Sequence, residues 1–125
     1  MATVKFTEAH EWVAVDGEKA TIGITDYAQD QLGDVVYIEL PAVGADIDQG
    51  EEAAVVESVK AAAEVYTPVG GQITETNKQL AEDPSQLNTD AEGEGWMFKI
   101  KMADETEIEE MMDAKAYADY VAELD

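Results

Sequence analysis

The chain has 125 residues, of which 29 are acidic and seven are Lys, with one His, no Arg and no Cys, for a formal net charge of −22. Without Cys there is no disulfide, thiolate nucleophile or sulfur-ligated metal, and His10 alone rules out clustered-imidazole metal sites, so any redox chemistry must be borrowed. So acidic a surface repels phosphate backbones and anionic lipid, and no apolar run approaches the roughly 18 residues of a membrane span; a single cytoplasmic domain without nucleic-acid or membrane partners is expected.

In chain order, Glu11 to Val15 alternates around Trp12 and Val13, Asp16-Gly17 offers a tight-turn pair, and Lys19 to Ile24 resumes with β-branched residues, which predicts a hairpin. Thr25-Asp26 caps a short predicted helix that runs through Tyr27, Ala28 and Leu32 and stops at Gly33. Val35 to Leu40 reads as a strand ending before Pro41. Ala53 to Val59 and Ala61 to Thr67 are strand-like runs on either side of Lys60 that can fold back on each other. Gly71 to Asn77 and Trp96 to Lys101 alternate cleanly, and Asp83-Pro84 between them predicts the N-cap and first turn of a single helical turn. Over about 104–124 the period changes: Ile108, Met111, Met112, Ala116, Tyr120 and Leu124 form a stripe predicted to be one C-terminal amphipathic helix with an acidic outer face. The fold expected is mainly β with short helices, one domain over residues 1–125.

Chemical signatures of catalysis are sparse. There is no GxSxG elbow, no P-loop and no dinucleotide fingerprint, and chance carboxylate pairs are unavoidable with 29 acids. A protein without catalytic activity of its own is therefore expected. Segment 50–71 stands apart, because Lys60 falls at or near the tip of a predicted hairpin between small residues that leave its ammonium open to covalent modification. On composition alone an ordinary solubilising lysine is the simpler reading, and Val59-Lys60 is not a favoured primed-turn pair.

Several motifs resolve that choice. HEWV (His10 to Val13), TIGITDYAQDQLGD (Thr21 to Asp34), ELP (Glu39 to Pro41), VVESVKAA (Val55 to Ala62), Pro68-Val69 with Gly71, and GEGWMFKIK (Gly93 to Lys101) follow one another in an order and spacing that resembles the glycine cleavage system H proteins, from about Phe6 to the C-terminus. ESVKA separates this pattern from biotin carriers, which place the modified Lys between Met residues, and from dehydrogenase lipoyl domains, which typically have Asp just before it.

The resemblance implies a hybrid of barrel and sandwich with two small antiparallel sheets, and a carrier rather than a catalyst. It implies lipoate in amide linkage to Lys60, so that the sulfur missing from the chain arrives with the cofactor. Implied partners are a pyridoxal-phosphate-dependent glycine decarboxylase, a tetrahydrofolate-dependent aminomethyltransferase, dihydrolipoamide dehydrogenase and a lipoylating enzyme, with the chain itself a monomer. Glu57, three residues before Lys60, and Gly71, eleven after it, match positions that lipoylating enzymes read. Glu11 and Glu64 match positions that hold the loaded arm in a cleft, where a carboxylate can pair with an ammonium. His10 beside Glu11 is equally well read as a cleft residue or as a partly buried structural His. Two departures from the family pattern are Ala9, where many relatives have a polar residue, and Gln31, where some have His. Two further readings are a lipoyl relay that donates lipoate to other carriers, and an unmodified acidic interaction module; the intact ESVKA disfavours the latter.

Overall fold

The computed structural model describes residues 3–124. Its strands are β1 (Thr3–Phe6), β2 (Glu11–Asp16), β3 (Lys19–Ile24), β4 (Val35–Glu39), β5 (Asp46–Ile47), β6 (Glu52–Ser58), β7 (Ala62–Tyr66), β8 (Gly71–Thr76) and β9 (Phe98–Met102). The helices are α1 (Asp26–Leu32), α2 (Lys78–Glu82), α3 (Ser85–Asp90) and α4 (Ala114–Leu124), with a 3-10 turn over Glu105–Ile108. Strands β1-β2-β3-β9-β8-β5 form one antiparallel sheet and β4-β6-β7 a second, smaller one. The expected mainly β hybrid of barrel and sandwich is what the chain adopts: the sheets share one core and do not close into a barrel.

That core follows from alternation. Val13, Ile22, Phe98, Ile100 and Ile73 point inward from the larger sheet, and Ile38, Val56 and Val65 from the smaller one, all buried. Leu80 and Leu87, from α2 and α3, close one end. The predicted first hairpin forms with Asp16 opposite Lys19 and a positive φ at Gly17. Thr25 caps α1 as expected, its hydroxyl accepting the Ala28 N–H, and the chain leaves the helix at Gly33 with φ of 82°.

Two expectations are corrected. The single helical turn at Asp83-Pro84 is in fact two helices, because Lys78–Glu82 is already helical and Pro84, which cannot continue α2, restarts the chain as α3. The one helix expected over about 104–124 is broken. Met112 forms a backbone bridge with Phe6, the two exchanging hydrogen bonds of 2.7 and 2.9 Å along the otherwise open edge of β1. Asp113 then starts α4 afresh by accepting the Ala116 N–H at 2.8 Å. The buried residue of α4 is Tyr117, stacked on Phe6, while Ala116 and Leu124 of the predicted stripe are exposed. Edge pairing thus outcompetes the helical period around Met111 and Met112.

The carboxylates are left largely to themselves. Among the described residues the ion pairs are Lys99–Glu75 at 3.8 Å and Lys115–Asp119 at 3.7 Å, both at the surface. Mutual repulsion therefore opposes the folded state, and the screening length falls from about 10 Å at 0.1 M salt to about 3 Å at 1 M. The melting temperature should rise between 0.1 and 1 M sodium chloride; a flat or falling response would show that the charges are spaced widely enough not to matter.

Candidate functional site

The register of β6 with β7 puts Val55 opposite Glu64, Val56 opposite Ala63 and Glu57 opposite Ala62, which leaves Val59 and Lys60 as a two-residue tip. Primed turns need positive φ, and among the described non-glycine residues only His10 has it. The tip is closed differently. The Ser58 N–H donates to the Ala61 carbonyl at 2.7 Å, and the Ser58 hydroxyl accepts the N–H groups of Lys60 and Ala61 at 3.3 and 3.1 Å. Val59 N–H is anchored to the Asp34 carbonyl at 3.0 Å. The Lys60 stem crosses Gly33, where an added Cβ would stand 3.3 Å from Lys60 Cε. Lys60 itself is exposed.

The platform beneath this tip is clamped by Asn88 of α3. Its side-chain oxygen accepts the Val35 N–H at 2.8 Å, and its amide donates to the Gly33 carbonyl at 2.8 Å and to Gln29 at 3.0 Å. Neither Asn88 nor Asp34 was singled out by sequence reasoning. Their roles depend on partners 53 to 59 residues away for Asn88, and on a bare backbone carbonyl for Asp34, so no local signal marks either.

Next to this platform lies a cleft of about 230 Å³ between α1, the ends of β2 and β3, and β7, floored by Leu32, Val56 and Val65. It brings together three of the predicted residues, His10, Glu11 and Glu64, and both departures, Ala9 and Gln31. Glu11 is only 5% exposed, and its two oxygens accept the Thr7 hydroxyl at 3.1 Å and the Tyr66 N–H at 3.2 Å, tying the larger sheet to β7. Burial pushes its carboxyl above the ordinary glutamate range, partly offset by those two bonds. Glu64 is exposed and accepts the Tyr66 hydroxyl at 2.5 Å. His10 sits with φ of 69° against the Tyr27 ring, its Nδ1 2.8 Å from the Tyr117 hydroxyl, which in turn lies 2.7 Å from the Thr25 hydroxyl. Burial lowers the His10 pKa and favours the neutral ring.

The other two predicted positions lie elsewhere. Glu57 is exposed on β6, opposite Tyr37 of β4 and away from the inward-facing Val56. Gly71 belongs to the larger sheet, paired with Met102 and Ile47, and is not brought to the hairpin; its φ of 153° and a Cβ position only 2.0 Å from the Lys101 carbonyl oxygen account for glycine by packing alone.

The family model described as Glycine cleavage H-protein matches residues 4–124. The chain belongs to the glycine cleavage H-protein family. Glycine cleavage system H proteins from Rhodospirillum rubrum and Parvibaculum lavamentivorans are 57% and 55% identical to it, covering 100% of both chains in the first case and 99% of both in the second. A crystal structure of a glycine cleavage system H protein from Mycobacterium marinum superposes with a TM-score of 0.87 at 32% identity, covering 95% of this chain and 96% of that one. For this member of the H-protein family, the hairpin tip and adjoining cleft are thus carried on a scaffold shared along nearly its whole length. No helix among the described residues is long and apolar enough to cross a membrane.

Glu11 gives this site a measurable pH signature. Its folded-state pKa is raised, so between the unfolded value of about 4.3 and that raised value the native chain binds the extra proton, and this group adds stability as pH falls. Its ionised form at neutral pH is the costly one. Glu11→Gln keeps an oxygen for the Tyr66 N–H and an amide that can donate to Thr7, but removes the charge. The melting temperature of the variant relative to the unsubstituted chain should therefore be higher at pH 7 than at pH 4. An unchanged difference would mean that the two hydrogen bonds fully compensate burial of the charge.

Proposed function

We propose that Lys60 bears a covalent lipoyl group and that the chain shuttles an aminomethyl group from a pyridoxal-phosphate-dependent glycine decarboxylase to a tetrahydrofolate-dependent aminomethyltransferase, then presents the dithiol to dihydrolipoamide dehydrogenase. Membership of a family of glycine cleavage carrier proteins supports this shuttle over a lipoyl relay or an unmodified acidic module. The observation that carries the site assignment is the position of Lys60: exposed at a tip whose neighbours Ala61 and Ala62 are small, with its stem lying across Gly33, the residue after the cleft-lining Leu32. The cleft fits such a group, since an apolar floor suits a hydrocarbon arm and a carboxylate-bearing end suits a cationic load.

When attached, lipoate supplies the disulfide and dithiol chemistry that this Cys-free chain lacks. The chain's own residues supply position and charge. Glu11 is held rigidly by Thr7 and Tyr66, yet each of its oxygens keeps a second lone pair for an ammonium. Glu64, steadied by the Tyr66 hydroxyl, adds a second carboxylate at the same opening, and neutral His10 adds no competing positive charge. Leu32, Val56 and Val65 exclude water from the arm's path. The lipoylating enzyme reads Glu57, and Gly71 joins it in this reading on the strength of the resemblance. The chain acts as a cytoplasmic monomer with no catalytic activity of its own.

Intact mass after incubation with a lipoylating enzyme and lipoate tests the reading. One lipoyl adduct, mapped to Lys60, is expected; an unmodified chain would overturn it.

A further inference from the structure

Around Lys60 the smaller sheet exposes apolar side chains that neither line the cleft nor enter the core. In β4, Val35 pairs with Ser58 and Tyr37 with Glu57, so the extra residue Val36 forms a β-bulge. A bulge breaks the alternation that would send every second side chain inward. Val35 and Ile38 still face the core, and both residues between them turn outward: Val36 is 57% exposed and Tyr37 48%. Val59 at the hairpin tip, 69% exposed, is tied by its N–H to Asp34, the residue before β4. Three large apolar side chains thus gather within one strand spacing of the root of the Lys60 hairpin. Exposed carboxylates flank them in sequence and register, Asp34 before β4, Glu39 at its end and Glu57 opposite Tyr37, and β4, β6 and β7 contain no Lys.

An apolar spot with an acidic rim is the complement of an apolar contact flanked by Lys or Arg. We propose that Val36, Tyr37 and Val59, with that rim, form the docking spot for a basic face of the enzyme that attaches the lipoyl group to Lys60. This rests on the lipoylation of Lys60 proposed above. Its position beside the modified residue, on side chains that line no part of the cleft, lets an enzyme hold the hairpin root while the tip stays free for chemistry. In that chemistry the Lys60 amine attacks the acyl carbon of a lipoyl adenylate, the amide bond forms, AMP leaves and one proton is released. Docking residues bind the ground state and transition state alike, so their loss should raise KM and spare kcat.

The test is steady-state lipoylation of the purified full chain by an adenylate-forming lipoate ligase, with Val36→Thr and Tyr37→Thr singly and combined. Thr keeps strand propensity, and melting temperatures confirm that the chains compared are folded. Val4→Thr, at a 42% exposed valine of β1 in the other sheet, serves as control. The double variant should show KM raised about tenfold with kcat within about twofold, as for loss of a central apolar contact, and Glu39→Gln should weaken the salt dependence of KM. A double-variant KM within about twofold of the unsubstituted value, or an equal rise in Val4→Thr, would overturn the docking spot while leaving lipoylation itself intact. A chain that is never modified at Lys60 would overturn both.

Discussion

Lys60→Ala is expected to give a folded chain whose intact mass never gains a lipoyl adduct and whose carrier activity is zero. The residue is exposed, its backbone is held by Ser58 rather than by its own side chain, and its stem passes over Gly33. Stability should therefore move by no more than about 0.5 kcal/mol. Lys60→Arg separates chemistry from charge, since it keeps a long cationic side chain over Gly33 but presents a guanidinium that stays protonated and cannot be acylated as an amine is. Both variants should be equally blank. The remaining lysines offer no substitute: Lys99 lies over the Trp96 ring at 4.9 Å and beside Glu75, Lys115 pairs with Asp119, and none occupies the tip of the β6–β7 hairpin. An adduct persisting on another lysine in Lys60→Ala would relocate the site. A melting temperature lowered by many degrees would make Lys60 a structural residue.

Elements specified by adjacent residues were legible before the structure. The hairpin over 11–24 and α1 with its Thr25 cap and Gly33 exit depend on turn and cap chemistry within a few positions, and both form as read. Lys60 at a hairpin tip was legible for the same reason, although the turn uses the Ser58 hydroxyl where a primed pair would be expected. What depended on distant partners was not. The stripe from Ile108 to Leu124 has helical spacing throughout, yet the backbone at Met112 finds Phe6 across 106 residues and leaves the helix to begin at Ala114. Asn88 is an ordinary polar helix residue until Gly33 and Val35 are folded against it. In β4, VVYIE reads as a plain strand, and the bulge that exposes Val36 and Tyr37 exists only through its pairing with β6. The cleft assignments of Glu11, Glu64 and His10 came from resemblance; the geometry adds that Glu11 also ties the two sheets together.

Gly71→Ala should lower the melting temperature by more than about 10 °C, corresponding to roughly 3 kcal/mol for a chain of this size. Two costs combine. At φ of 153° the backbone lies where L side chains are strained, which costs on the order of 1–3 kcal/mol. In addition the new Cβ would lie 2.0 Å from the Lys101 carbonyl oxygen and 3.1 Å from Met102 Cα, both main-chain atoms that no rotamer change can move aside. Relief requires β8 to part from β9, and because Gly71 also pairs with Ile47, β5 must follow. Overpacking of this kind costs typically 1–3 kcal/mol where side chains can adjust, and here they cannot. Gly44→Ala isolates the first cost, since Gly44 has φ of 91° but nothing within 4 Å of its Cβ position, so only the conformational cost applies and the fall in melting temperature should be clearly smaller. The consequence for function is that lost lipoylation in a Gly71 variant reports a loosened sheet before it reports lost recognition. A Gly71→Ala chain that melts within about 3 °C of the unsubstituted one, a change of under about 1 kcal/mol, would show that β8 and β9 can part cheaply. Only then would its lipoylation rate speak to a recognition role for Gly71.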